Sequence, residues 1–588
     1  MGRLTSFGVS AVLFAAVAAL NAQTLNEASL NGDYFVRHVQ ITRGADGDVT
    51  DSRSLQGLMV FNGSGSYSYV GDQVIGAGTH AGFTAGGSYS VSPSGVVTIR
   101  NPQSPSLSIN ARYGAEALIG ASTEAPDNTF DLFVAIPYSG TQTKAALNGT
   151  FYAAEFELSP LCDSLVTLAT NGAGGITAVS AVGHATGVFS ETGTGGSYSD
   201  RTLTITGLTL VTGAQRVLTV SDSGNVFIAG SPDAHDIMIG VKAATSATLA
   251  PALWTAGLRL DSTGTTENFA GSAAPINGKY ITATRRLHET GAILNTTESS
   301  SYTEASDGSG SWGPSKIGVG AGGNLMVSAS ASATQDPAGY QISFSVASPA
   351  LTGSSVFISP RGVVNAASAA PGVDAVSPGE FIAIYGSGLG GATASALPPY
   401  PPSVGNVSVL IGGLQAPVYF VSAGQIDCLV PYGVTGTSVT IRVNNNGAPS
   451  NTVTVPLAKT SPGIFSLDTS GTGDGALLHL DNTVINSVSP AAKGEIVQIY
   501  LTGLGALTTP IADGHGAAAA DFAVTPIALY IDGVQVASQD VLYWGVSSLP
   551  GLYQINFRVP SNLTVTGELP LAILTPDAFH DQVNIAVR

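Results

Sequence analysis

The chain has 588 residues, is 44% hydrophobic and only 10% charged, so it is too long for one core and its surface must be solvated largely by hydroxyls and backbone. A net charge of −18 with 21 Lys+Arg and no basic cluster excludes nucleic-acid binders, which set cations against phosphate, and gives no hold on an anionic membrane. The apolar content also excludes disorder, despite 73 glycines.

Residues 1–22 read as a Sec-type signal peptide. Arg3 opens it, residues 7–20 are apolar, and Leu20-Asn21-Ala22 offers a small-residue cleavage site before Gln23. That run is short of the roughly 20 apolar residues a spanning helix needs, and no later segment is apolar enough to span. The expectation is a secreted protein, extracellular or at the cell surface, with the periplasm as the other compartment such a signal allows. Cys162 and Cys428 fall in different expected domains and should stay unpaired within the chain.

From residue 23 three markers repeat in order. Leu30-Asn31-Gly32-Asp33-Tyr34 returns as Leu147-Asn148-Gly149-Thr150-Phe151 and as Ile276-Asn277-Gly278-Lys279-Tyr280. Gly86-Gly87-Ser88-Tyr89-Ser90 returns as Gly195-Gly196-Ser197-Tyr198-Ser199, with Gly310-Ser311-Trp312 as a weaker copy. Leu118-Ile119-Gly120 with Asp131-Leu132-Phe133-Val134 returns as Phe227-Ile228-Ala229-Gly230 with Asp236-Ile237-Met238-Ile239. These predict β repeat domains at 23–140, 141–270 and 271–358, the last lacking a clear final strand. The first has about eight short strand-like runs between Gly, Asn, Asp or Pro turns, which suits an up-and-down barrel or a small sandwich.

Beyond residue 359 the repeat changes. Pro378-Gly379-Glu380 before Phe381-Ile382-Ala383-Ile384-Tyr385-Gly386-Ser387-Gly388-Leu389-Gly390 matches Lys493-Gly494-Glu495 before Ile496-Val497-Gln498-Ile499-Tyr500-Leu501-Thr502-Gly503-Leu504-Gly505. Gln425-Ile426-Asp427-Cys428-Leu429-Val430-Pro431 matches Gln554-Ile555-Asn556-Phe557-Arg558-Val559-Pro560. Two immunoglobulin-like sandwiches follow, at 359–458 and 459–588. The fold class is therefore all-β throughout. In order, these motifs with Val363-Val364-Asn365-Ala366-Ala367-Ser368, Tyr419-Phe420-Val421-Ser422-Ala423-Gly424-Gln425-Ile426 and Ser461-Pro462-Gly463-Ile464-Phe465 resemble the uncharacterised C-terminal domain family of exported proteins from Solibacter-type acidobacteria. The resemblance covers 362–588, implies an IPT/TIG-like immunoglobulin fold for each half, and carries no catalytic residue.

The chemical motifs are weak. Gly386-Ser387-Gly388-Leu389-Gly390-Gly391 and Gly318-Val319-Gly320-Ala321-Gly322-Gly323 fit G-x-G-x-x-G, but neither precedes a helix-forming segment, so both read as turns. No serine has glycines at −2 and +2, as a nucleophile elbow requires, and the eight histidines form no close pair. His235 between Asp233 and Asp236 reads as a turn end. Asp46, Asp48 and Asp51 share one polar loop and are the candidate calcium ligands. No EF-hand glutamate follows, so a solvated hairpin loop is the competing reading, and no cofactor is expected. The function expected is non-enzymatic: a structural, adhesion or attachment protein facing an extracellular protein or a polysaccharide. A glycan or small-ligand binder using the barrel repeats, and a hydrolase with a loop-assembled site, stand beside it.

Overall fold

The computed structural model describes residues 25–588 except 78, 186, 194, 209–214, 245–247, 262–264, 331–338, 350–354 and 372–374. The leader at 1–22 lies outside the described residues. The regular structure of the described residues is strand, joined by turns and loops, with four three-residue 3-10 turns as its only helical elements.

The first barrel runs through Asn31–Arg43, Val49–Asn62, Ser66–Ile75, Thr79–Val91, Val96–Arg100, Ser108–Tyr113, Leu118–Ala121 and Thr129–Pro137. It closes where the first strand meets the eighth, from Tyr34 opposite Pro137 to Thr42 opposite Thr129. The second repeats this path over Asn148–Leu158, Leu161–Asn171, Gly175–His184, a broken fourth strand (Val188–Gly193 with Gly195–Tyr198), Thr202–Thr206, Arg216–Val220, Val226–Gly230 and Asp236–Lys242. The third runs over Leu253–Asp261, Thr266–Ile276, Tyr280–Glu289, Ala292–Glu304, Ser309–Trp312, Ser315–Val319, Leu325–Ser330 and Gly339–Ala347.

The third repeat differs from its expected limits. Its first strand starts at Leu253, ahead of the 271 set by the Asn-Gly marker, and Gly339–Ala347 supplies its eighth strand. The cause is a shift of one hairpin in the marker. In the first two barrels Asn31-Gly32 and Asn148-Gly149 open strand one, whereas Asn277-Gly278 turns strand two into strand three, where barrels 1 and 2 have Asn62-Gly63 and Asn171-Gly172. The third copy of the tyrosine marker is likewise Tyr302, not Trp312. The Tyr89, Tyr198 and Tyr302 N–H groups donate to the carbonyls of Gly65, Gly174 and Lys279, each just past that hairpin, at 2.9, 2.9 and 2.8 Å.

Each barrel has two apolar faces. Inside, Tyr34, Phe61, Tyr67 and Tyr89 fill barrel 1, Phe151, Leu168, Ile205 and Phe227 fill barrel 2, and Leu253, Ile281, Ile317 and Met326 fill barrel 3. Outside, strands one, seven and eight of all three turn side chains to one shared centre, among them Phe130, Leu132, Phe156, Ile239, Trp254 and Phe344. This is why Thr129–Pro137 is buried at every position but the last, a pattern that alternation would forbid in a sheet wet on one side.

The barrels dock head to tail in a closed ring, the geometry in which a heterologous contact ends after a fixed number of copies. From barrel 1, Arg37 Nη2 pairs with Asp236 Oδ1 of barrel 2 at 2.8 Å, and Ser54 Oγ donates to Ala234 O at 3.0 Å. From barrel 2, Asp163 Oδ2 accepts the Ser330 and Gln341 N–H groups of barrel 3, both at 2.8 Å. From barrel 3, Asn268 Nδ2 donates to Asp131 Oδ1 of barrel 1 at 3.0 Å. Ser54, Asp163 and Asn268 all come from strand two. The end of each eighth strand also meets the end of the next barrel's sixth. The Asp222 N–H donates to Pro137 O and the Ala244 N–H to Val319 O, both at 3.1 Å. At the third contact Val346 packs so closely on Gly114 that a Cβ there would lie 2.4 Å from Val346 Cγ2.

Two sandwiches follow. The first sets Phe357–Asn365, Phe381–Ser387, Gln425–Leu429 and Val418–Val421 against Val407–Ile411, Ser438–Asn445 and Val453–Pro456. The second sets Ile496–Thr502, Tyr553–Arg558 and Val541–Val546 against Ala528–Ile531, Gly567–Thr575 and Ala578–Val587. The last strand, Ala578–Val587, also pairs in parallel with strand four of barrel 3, Asn295 to Glu298 opposite Ala578 to Asp581. One sheet thus runs from barrel 3 into the second sandwich.

Candidate functional site

A concavity lies between barrels 2 and 3, with a cavity volume of about 440 Å³. Strands two and three of barrel 2 give one wall with Leu165, Thr167, Ser180 and Val182; strands four to six of barrel 3 give the other with Thr303, Glu304, Ser311 and Lys316. Period-2 alternation puts Thr167 and Ser180 on the outer face, where they oppose each other across the strand pair. Tyr152 closes the floor, its hydroxyl donating to Asp307 O at 3.0 Å. Thr303 Oγ1 and Ser311 Oγ are 2.9 Å apart, and burial raises the Glu304 carboxyl above its ordinary range. The cleft therefore mixes hydroxyls, one carboxylate and one ammonium over a small apolar floor.

A second convergence is sealed. At the junction of barrels 1 and 2, Arg37, Arg216, Glu155 and Asp236 have side chains 1–2% exposed. Arg216 pairs with Glu155 and sits 3.5 Å from Asp236 Oδ2. Arg37 also donates to Asp236 O at 2.8 Å and to Gln56 Oε1 at 3.2 Å. Burial raises Glu155, lifts half-buried Glu157 to about 7 and lowers Arg37. Gly230 makes room for this, since a Cβ there would lie 2.4 Å from Arg37 Nε. The group has the acids and bases of a reactive centre, but at that depth its chemistry is the docking of two barrels.

The residues singled out in the sequence take separate places. Asp46 Oδ1 accepts the Asp48 N–H at 3.2 Å inside its own turn, while Asp51 pairs with Arg53 at 2.6 Å. The Asp46 and Asp51 carboxylates thus have separate partners, and among the described residues no three His, Cys, Asp or Glu side chains gather as metal ligands. His235 hydrogen-bonds Gly76 O of barrel 1 at 2.7 Å, and Asp236 accepts the Ser231 N–H at 2.8 Å, so this cluster is a turn that also docks two barrels. Gly386 lies in the strand Phe381–Ser387, and Gly318 lies in Ser315–Val319 ahead of a 3-10 turn. Cys162 and Cys428 are buried free thiols in barrel 2 and the first sandwich.

The Gly-Glu signature of the sandwiches is a turn lock. Gly379 and Gly494 adopt φ of 72° and 83°, a region that favours glycine. The glutamate carboxylate then accepts the N–H three residues back, from Ser377 to Glu380 at 2.7 Å and from Ala492 to Glu495 at 2.8 Å. Burial lifts Glu380 to about 8. The sandwiches meet through the Phe381 N–H on Thr502 Oγ1 at 2.7 Å and the Tyr432 and Tyr553 hydroxyls 3.1 Å apart.

The family model of the IPT/TIG domain matches residues 371–457, within the first sandwich. No curated protein matches the chain. Among solved structures the chain is similar to SGBP-B of the Bacteroides ovatus mixed-linkage glucan utilization locus, in complex with a mixed-linkage heptasaccharide. The identity is 12% over 59% of this chain and 65% of that one, with a TM-score of 0.18. It is also similar to the gamma-CGTase of Alkalophilic bacillus clarkii, at 11% identity over 55% and 41%, TM-score 0.13, and to the human desmocollin-1 ectodomain, at 9% over 77% and 95%, TM-score 0.10. Likeness of this degree does not bear on what the chain does. The chain spans just under two thirds of the first of these proteins.

Proposed function

We infer that this is a non-enzymatic extracellular or cell-surface protein with a structural, adhesion or attachment role. The ring of three barrels is a rigid head and the paired sandwiches are its base. The observation that carries the reading is the closed ring: each barrel uses side chains from strand two to hold the next, and the charges of Arg37, Arg216, Glu155 and Asp236 are sealed inside one joint. The resemblance of 362–588 to the Solibacter-type C-terminal family belongs to this reading and adds no chemistry to it. Deleting 359–588 from the exported protein tests the attachment role. Release of the barrels into the medium is the expected outcome; unchanged retention on the cell counts against it.

The cleft favours a second reading within the same class, a binder of extracellular polysaccharide. Thr167, Ser180, Thr303 and Ser311 offer donors and acceptors suited to sugar hydroxyls, over the apolar floor. The ligand would lie between barrels, because aromatic side chains fill the interior of barrel 1. Calorimetric titration with soluble polysaccharides tests this. Ser180→Trp, which fills the cleft, should abolish binding, while Leu397→Trp, exposed on the first sandwich and outside the cleft, should not. Equal binding by both variants removes the cleft from the account.

A further inference from the structure

The fourth strand of each barrel meets a different fate on its outer edge. In barrel 3 that edge carries a partner, since residues 295–298 pair with the last strand of the chain. These lie seven to four residues before Tyr302, the marker whose N–H bonds past the strand-two hairpin. Counting back equally from Tyr89, the corresponding residues of barrel 1 are Gly82, Phe83, Thr84 and Ala85. Strand four of barrel 1, Thr79–Val91, pairs along its inner edge with strand three, Ser66 to Ile75 opposite Ser88 to Thr79, without a bulge. On its outer edge only Tyr89, Ser90 and Val91 pair, with strand five. No partner strand lies against the outer edge of 82–85 among the described residues.

This edge also lacks the usual protection. Sheets guard their edges with charge, proline, bulges or shortness. The stretch Thr79–Val91 has no Lys, Arg, Asp, Glu or Pro, and it is 13 residues long. Barrel 2 guards the same position: its fourth strand is broken in two, and the exposed half carries Glu191. In barrel 1, Ala81, Gly82, Thr84, Gly86 and Ser88 are exposed, and Phe83 is half-buried with its ring 6.0 Å from Tyr69.

We propose that two copies of this chain associate by antiparallel pairing of the open edge of Thr79–Val91 with its own counterpart, about a two-fold axis near Phe83 and Thr84. Antiparallel pairing of a strand with itself is self-complementary, so one edge serves both partners. The net charge of −18 opposes most contacts between copies, and an uncharged edge is where that opposition is weakest. Across the axis the two Phe83 rings come within cross-strand reach, an aromatic pair that adds to the backbone ladder. The joint would cover, between molecules and with antiparallel pairing, the edge that barrel 3 covers within one chain by a parallel strand.

Analytical ultracentrifugation of the full chain across a concentration series is the test. A reversible dimer of twice the monomer mass is expected. Thr84→Lys sets two like charges beside the axis and should return the protein to monomer with an unchanged melting temperature. Thr84→Cys should form an interchain disulfide on mild oxidation, Cys162 and Cys428 being buried, whereas Val188→Cys on barrel 2 should not. A monomer at every concentration with no crosslink at residue 84 overturns the proposal. So does a dimer that survives Thr84→Lys, since its contact then lies elsewhere.

Discussion

The barrels and the sandwiches are both runs of repeated β units, yet they are joined by different means. The three barrels share one apolar centre built from their outer faces, and the joints around it hold buried charge. The two sandwiches keep separate cores, with Tyr432 of the first packed on the core of the second, and hydrogen bonds from Phe381, Asn365, Ser377 and Tyr432 cross between them. A ring in which every member holds the next should fail as a unit; a pair with separate cores should fail in parts.

The sharpest way to break that contrast is a buried charge in each region. Ile239 belongs to the shared centre and Ile384 to the core of the first sandwich, both fully buried. An unpaired buried charge costs several kcal/mol or more, against a domain stability of about 5–15 kcal/mol. Ile239→Asp should unfold all three barrels, whereas Ile384→Asp should leave them folded. Limited proteolysis with fragment mapping separates the outcomes. A barrel 3 that survives Ile239→Asp would mean the ring is three independent domains.

Next in size is Arg37→Ala, which takes from Asp236 its closer cation at the junction of barrels 1 and 2 and leaves it Arg216 at 3.5 Å and the Ser231 donors. Breaking one side of a buried pair costs about 3–5 kcal/mol, read as a fall in the denaturant midpoint of the barrel transition alone.

The sandwich side can be sharpened by pH. Glu380 ionises near 4.5 when unfolded and, through burial, at about 8 in the fold. Between those values the folded state holds a proton that the unfolded state releases. The stability this contributes is complete below pH 4.5 and is lost as pH rises through 8. Melting temperatures of the first sandwich should therefore fall from pH 4.5 to 8.5 in the wild type. Glu380→Gln should flatten the slope, leaving a remainder from Asp427, which burial raises to about 6. The smallest effect is expected from Tyr553→Phe. It removes the 2.6 Å bond to Gly505 O and the contact with Tyr432, costing about 1–2 kcal/mol in calorimetry of the second sandwich.

Much of this architecture is written in local pattern. Alternating apolar residues between Gly and Asn turns carry the strands, their rough number and the two kinds of repeat, because a pleated strand and a tight turn each depend on a few neighbouring residues. The Gly-Glu signature was legible as a shared feature, and the structure gives its reason in the carboxylate bonds of Glu380 and Glu495. The Asn-Gly marker was legible too, but a hairpin signal does not say which hairpin it is, so its third copy led to the wrong strand of barrel 3. The apolar run Leu132–Pro137 was a local sign that the barrels bury their outsides, as was Ile237–Val241 in barrel 2. Which surface covers that run, that Arg37 finds Asp236 and Asp163 finds Ser330, that the cleft opens between barrels 2 and 3, and that one strand-four edge is covered while its counterpart is bare are matters of residues far apart in the chain. Those pairings arise from how the barrels close on one another, and no period or motif within a single repeat encodes a neighbour's position.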